Sequence, residues 1–187
     1  MRDPPLIHAD DGHLARLARG GDRDAYAELV RRHQTVAVRV AAQVGNVAIA
    51  EDAAQDAFVK AFVALPRFDP ARPFRPWLLT IVANEARTRV RSRRRGARLD
   101  ELLAARDDEP PGDPVADAVL ARSEGDALGR ALAALGEPDR EILVLRFVLD
   151  LGERETAAVL GCRKGTVKSR TSRALSRLRA AFTEVTE

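Results

Sequence analysis

Apolar residues along this chain recur at steps of three and four, and no strand-length run alternates apolar with polar. That period belongs to amphipathic helices. The longest stripe is Tyr26, Leu29, Val30, His33, Val36, Ala37, Val40 and Val44, wide enough to face a core. Asp22 ahead of it suits an N-cap, and Gly45 behind it a helix stop. A short helix over His13–Arg19, ended by Gly20-Gly21, precedes it, and residues 1–11 read as a disordered lead-in. Past Gly45, Asn46 or Val47 opens a third helix that stops before Pro66, with Ala54, Ala57, Phe58, Ala61, Phe62 and Leu65 on its buried side.

Residues 67–75 form a loop stiffened by Pro70 and Pro73, and Pro76 suits the first position of a helix, where its missing N–H costs nothing. That helix carries Trp77, Leu78, Ile81, Val82, Ala86 and Val90 on one side and turns arginine-rich beyond Ala86. Trp77 is expected in the core, with base stacking as the alternative. Residues 96–124 are polar, acidic and broken by Pro110, Pro111 and Gly112, a flexible linker with at most a helical turn around Leu99–Ala105. A helix from Asp113-Pro114 to about Leu135 and another from Glu137-Pro138 lead to Gly152. The pattern predicts an all-α chain of two small helical domains, 12–95 and 125–187.

The last two helices, Arg154–Leu160 and Lys164 to about Phe182, flank a tight turn at Gly161-Cys162-Arg163, the shape of a helix-turn-helix. At 100° per residue, Val167, Ala174, Leu175, Leu178 and Phe182 share one arc of the second helix, with Thr171 among them. Ser169, Ser172, Arg173 and Ser176 lie opposite, bordered by Lys168, Arg170, Arg177 and Arg179. Small hydroxyl residues allow close approach to base edges, arginine grips guanine with two hydrogen bonds, and flanking cations suit phosphates. Thr166 stands at the helix start, where free N–H groups favour a phosphate.

Charge sharpens this picture. The net charge is only +3, but seven arginines fall between Arg87 and Arg98 and five carboxylates between Asp107 and Asp117. The basic block fits nucleic acid or an anionic membrane surface, against the plain alternative of a solvated helix face. Glu51, Asp52, Gln55 and Asp56 cluster near a helix start. They fit dipole stabilisation with solvation, a partner-binding face, or a divalent-metal site that no further ligand completes. One cysteine, Cys162, allows no internal disulfide, and the three scattered histidines have no metal spacing. No metal or cofactor is expected. No apolar run is long enough to span a membrane and the N-terminus lacks a signal-peptide core, so a cytoplasmic protein without membrane insertion is expected.

These motifs resemble a family. The stretch VLDLGERETAAVLGCRKGTVKSRTSRALSRL, 148–178, is similar to region 4 of bacterial RNA polymerase sigma factors, most of all the extracytoplasmic-function (ECF) type of the sigma-70 family; Gly165–Arg170 is its most specific part. ARGGDRDAYAELVRRH resembles the opening helices of region 2. AEDAAQDAFVKAFVALPRF resembles the helix that binds the polymerase clamp, and FRPWLLTIVANEARTRVRSRRR the part that meets the −10 element. The resemblance covers roughly 12–95 and 125–182.

It implies a dissociable specificity subunit with no active site of its own, nucleoid-associated when bound to polymerase. Glu51, Asp52, Gln55, Asp56 and Lys60 would meet core RNA polymerase, whose β and β′ subunits are the implied partners. Phe68, Phe74, Arg75 and Asn84 would line a pocket for a −10 base, with Arg87, Arg89 and Arg91 on phosphates. Thr166, Lys168, Ser169, Ser172, Arg173 and Arg177 would read the −35 element. An anti-sigma factor would cover these surfaces, and no appended C-terminal sensing domain is expected.

The chain departs from the family pattern at Thr171, usually aliphatic, at Ser172, usually larger, at Gly152, often a serine-type cap, and at Gly136, often proline. The alternative reading is a helix-turn-helix regulator that works without polymerase, which leaves the Glu51–Asp56 face without a purpose.

Overall fold

The computed structural model describes residues 6–103 and 127–186 of the chain. Helices α1 (Asp11–Arg19), α2 (Arg23–Val44), α3 (Val47–Ala64) and α4 (Phe74–Leu103) form the first half. Helices α5 (Ala127–Ala134), α6 (Glu137–Leu143), α7 (Glu153–Leu160) and α8 (Lys164–Thr186) form the second. No strand occurs among the described residues.

Each of the first three helices begins on a side-chain cap. Asp10 accepts from the His13 N–H at 2.8 Å, Asp22 from those of Asp24 and Ala25 at 2.9 and 3.0 Å, and Asn46 from that of Ile49 at 3.2 Å. A cap of this kind is worth about 1 kcal/mol. Alanines such as Ala37, Ala41, Ala57 and Ala83 let α2, α3 and α4 approach closely, while Leu29, Leu78, Leu79 and Val82 fill the space between them.

Residues 6–11 depart from the expected disorder: Leu6–His8 form a turn of 3-10 helix and α1 starts at Asp11. The cause is Arg32, which donates to the carbonyls of Leu6, Ile7 and Ala9 at 3.0, 2.8 and 2.6 Å. Helix α4 starts at Phe74, two residues before Pro76, and runs to Leu103, so residues 96–103 continue a helix where the linker was expected to begin. The remainder of the expected linker and the Asp113-Pro114 helix start lie outside the described residues.

In the second half Ile142, Leu143, Val167 and Ala174 form a smaller core with Leu175 and Leu178. Helix α6 runs into a π-helical turn over Val144–Val148. Gly161 closes α7 in the left-handed conformation at φ 64°, which a side chain at Cβ disfavours. The Cys162 N–H then bonds the Ala157 carbonyl at 3.0 Å, a helix stop that turns the chain into α8. The halves meet where α7 packs on α4: Val144, Leu145, Leu149, Leu151 and Val159 join the larger core.

Candidate nucleic-acid and partner-binding faces

Helix α8 is oriented by its apolar arc. Val167 and Ala174 are fully buried, and Thr166, Lys168, Ser169, Ser172, Arg173 and Arg177 are exposed on the other side. Ser169 donates its hydroxyl to the Thr166 carbonyl at 3.1 Å, and Arg173 lies back on the Ser169 carbonyl at 3.3 Å. Arg177 is held by Asp139 of α6. The Thr171 hydroxyl is buried with no hydrogen-bond partner among the described residues, the local cost of a threonine in an aliphatic position. Gly152 caps α7 with no side chain of its own; its N–H bonds the Glu155 carboxylate at 2.7 Å.

The residues expected around the −10 element separate into two kinds. Phe68 and Phe74 are buried at 4 and 2 % exposure and stack with Trp77, at ring separations of 5.7, 4.6 and 5.5 Å. In this packing they seat the loop and present no ring to solvent, because Trp77 and α4 cover them. Asn84 and Arg91 are exposed on α4. Arg75, Arg87 and Arg89 are each engaged: Arg75 with Glu155 at 3.2 Å, Arg87 with the Val159 carbonyl, and Arg89 with Asp52 and Asp56 at 3.4 and 2.5 Å.

That last contact divides the acidic set on α3. Asp52 and Asp56 face α4 and are bound by Arg89, and Lys60 is bound by Glu85 of α4. The Asp56 carboxylate, first of all, raises the Arg89 pKa. Glu51 and Gln55 lie on the opposite flank, on the rim of a groove of about 540 Å³ between α2 and α3. Tyr26, Val30, Phe58, Val59 and Phe62 line it. Tyr26 donates its hydroxyl to the Phe58 carbonyl, and burial pushes its pKa up to about 12. Among the described residues no group of three or more histidines, cysteines and carboxylates could hold a metal ion. No described helix is long and apolar enough to cross a membrane.

Comparison with known proteins agrees with both halves. Residues 29–96 match the family profile "Sigma-70 region 2", and residues 125–178 match "Sigma-70, region 4". The RNA polymerase sigma factor CnrH of Cupriavidus metallidurans is 36% identical over 91% of this chain and 93% of its own. The ECF sigma factor SigW of Bacillus subtilis is 30% identical over 85% and 89%. The chain belongs to the ECF group of the sigma-70 family. CnrH solved in complex with the cytosolic domain of CnrY covers 93% of this chain and 97% of its own at a TM-score of 0.63 and 32% identity. The sigma factor RpoE of Bartonella quintana, solved with the anti-sigma factor NepR, covers 83% and 97% at 0.54 and 25%.

In this sigma factor, region 2 corresponds to α2–α4 and region 4 to α5–α8. The sequence pattern did not single out the α2/α3 groove. Phe62 was expected inside, yet it is 47 % exposed, beside Val59 at 60 % and Val63 at 73 %. The available signal was excess: α3 is apolar around more of its circumference than one buried face requires. Glu155, which ties region 4 to Arg75, carried no sequence signal.

Proposed function

We propose that this sigma factor directs core RNA polymerase to promoters through two separate DNA-reading faces, and that it docks on the polymerase through α3. The observation that carries this reading is the free polar face of α8, where Lys168, Ser169, Ser172 and Arg173 project from a helix anchored by Val167 and Ala174. Such a face supports a major-groove reader. Region 2 would hold the −10 element with loop 68–75, Asn84 and the α4 arginines, which together on phosphates would give steep salt dependence. Opening the duplex costs a few kcal/mol per extruded base, about what a preformed pocket must offset.

Core polymerase would occupy the α2/α3 groove, with Glu51 and Gln55 at its rim and Asp52, Asp56 and Lys60 beside it. CnrH was solved with the cytosolic domain of CnrY and RpoE with the anti-sigma factor NepR, and the likeness to them supports control by an anti-sigma factor here as well.

The two DNA faces cannot work in the packing described above. The −35 and −10 elements are about 25 base pairs apart, roughly 85 Å of duplex, whereas a packed chain of this length is about 40 Å across. Region 4 must leave α4 on the promoter, releasing Arg75 from Glu155 and Arg87 from Val159. The chain between Leu103 and Ala127 reaches at most about 80 Å, which together with the two halves is enough.

Reconstitution with core polymerase and a promoter library tests the reading. Specific transcripts that depend on this chain are expected. A protein that binds duplex DNA but neither core polymerase nor promoters in its presence would instead be a polymerase-independent regulator.

A further inference from the structure

The segment Leu6–Arg19 lies ahead of the region 2 profile match, which begins at residue 29, and none of its residues has been given a binding role. It is nevertheless held with unusual care. Arg32 binds three of its carbonyls as well as Asp11 and Glu28, at 3.2 and 2.7 Å. His33, buried on α2, meets Asp11 through Nε2 at 2.7 Å. These contacts fix α1 at the end where Asp11 and Gly12 begin it.

Helix α1 in turn touches loop 68–75 at two backbone points. Arg19 donates to the Phe68 carbonyl at 3.3 Å. Gly12 lies so close to the loop that a Cβ there would stand 3.2 Å from the Pro70 carbonyl oxygen and 3.1 Å from Asp10 Oδ1. A third support comes from α2, where the His33 ring lies 5.6 Å from that of Phe74. The loop's own bonds are short-range: the Ala71 and Arg72 N–H groups bond the Asp69 side chain and carbonyl at 3.0 and 2.9 Å. They shape the 69–72 turn and do not fix where it sits on the domain.

We propose that Leu6–Arg19 is the floor of the −10 loop, with Arg19 and Gly12 as positioning residues that set where the loop stands over region 2. This rests on the reading of loop 68–75 as the part that captures a −10 base. The physical reason is tolerance: a pocket that must receive a flipped base loses much of its effect when displaced by about 1 Å. A loop carbonyl gripped from a neighbouring helix, with Gly12 set close beneath Pro70, fixes the backbone while Ala71, Arg72 and Pro73 stay exposed.

Trp77 is the chain's single tryptophan, with its ring 4.6 Å from Phe68 and 5.5 Å from Phe74, so its emission reports the loop's position in the full-length protein. The test compares Arg19→Ala, Arg19→Lys and Gly12→Val with the loop variant Arg72→Ala. Three readouts are taken: Trp77 emission at matched helix content, core-polymerase affinity, and permanganate reactivity of −10 thymines on a promoter selected from a random library. Arg19→Ala and Gly12→Val should shift Trp77 emission and reduce −10 opening by about tenfold or more, with core affinity unchanged. Arg19→Lys, which keeps a donor, should restore most of both.

Opening lost in Arg72→Ala but kept in Arg19→Ala and Gly12→Val overturns the floor. Opening kept in all of them overturns the loop reading and the floor with it. Equal loss of core affinity and opening in Arg19→Ala, unrelieved by lysine, makes Arg19 a folding residue and also overturns the proposal. Should Gly12→Val fail to fold, the Arg19 pair decides.

Discussion

The two halves of this sigma factor differ in the cations between their helices and on α8, where, among the described residues, Arg177 is paired with Asp139 but Lys168 and Arg173 with no carboxylate. In the first half the arginines facing other helices are claimed: Arg32 by Glu28, Asp11 and three carbonyls, Arg89 by Asp52 and Asp56, Arg75 and Arg87 by region 4. In the second half Lys168 and Arg173 stand exposed on α8, and among the described residues no carboxylate is paired with either. The first half is also the better-built body, with side-chain caps on three helices and the larger core. The second starts α6 and α7 on glycines without a capping side chain. Region 4 thus carries exposed cations on a modest scaffold, and region 2 is a better-anchored body whose interhelical arginines are already paired.

The largest difference between the halves lies in their cores. Leu79→Ala, at full burial between α2, α3 and α4, should cost about 2–5 kcal/mol. Trp77 fluorescence during urea unfolding measures it, because the only tryptophan lies in that half. A midpoint that does not move would mean the larger core is not what stabilises region 2.

Next in size is the difference between reading and holding. Arg173→Ala should relax base preference in the −35 element by about 1–3 kcal/mol of discrimination. Arg91→Ala should weaken binding evenly across sequences and flatten the salt dependence. Competition binding against randomised sites separates the two, and equal loss of preference from both would contradict the division of labour.

Smaller still is the cost inside α8. Thr171→Val removes a buried hydroxyl without a partner and should stabilise region 4 by about 1 kcal/mol, seen as a raised thermal midpoint. A lowered midpoint would show that the hydroxyl is satisfied in solution.

The mildest test concerns acid. Hydrogen bonds from Arg31, then Arg32, pull the Glu28 carboxyl from 4.5 to about 2. A carboxylate with a depressed folded pKa contributes fully above its unfolded value and loses that contribution as pH falls toward the folded one. Wild-type stability should therefore decline between about pH 4.5 and 2 more steeply than that of Glu28→Gln, followed by urea midpoints. Parallel curves would deny Glu28 any part in anchoring α1 and α2.

What the sequence could reveal follows from what period and spacing encode. Stripes and caps located α2, α3 and α8, and the helical wheel of α8 correctly separated Val167 and Ala174 from Ser169, Ser172 and Arg173, since both depend on one helix alone. The Arg89 pairing with Asp52 and Asp56 was not legible, because it depends on the rotation of α4 against α3. The order of residues 6–11 was hidden for a related reason: Arg32 grips backbone carbonyls, which leave no mark in a residue pattern. The seat of α7 on α4 is a tertiary fact of the same kind, whereas the exposure of Val59, Phe62 and Val63 was signalled by the excess of apolar residues on α3.

If this chain spans a promoter, its two DNA faces belong to halves that pack together in the free protein and must separate on the DNA. Spin labels at Ser92→Cys and Ser176→Cys, both exposed sites, in a Cys162→Ser background give the distance between α4 and α8 directly. Pulsed electron resonance should find a separation within the roughly 40 Å breadth of the packed chain in the free protein. In the polymerase–promoter complex it should approach about 85 Å. A distance unchanged by polymerase and promoter would contradict the account.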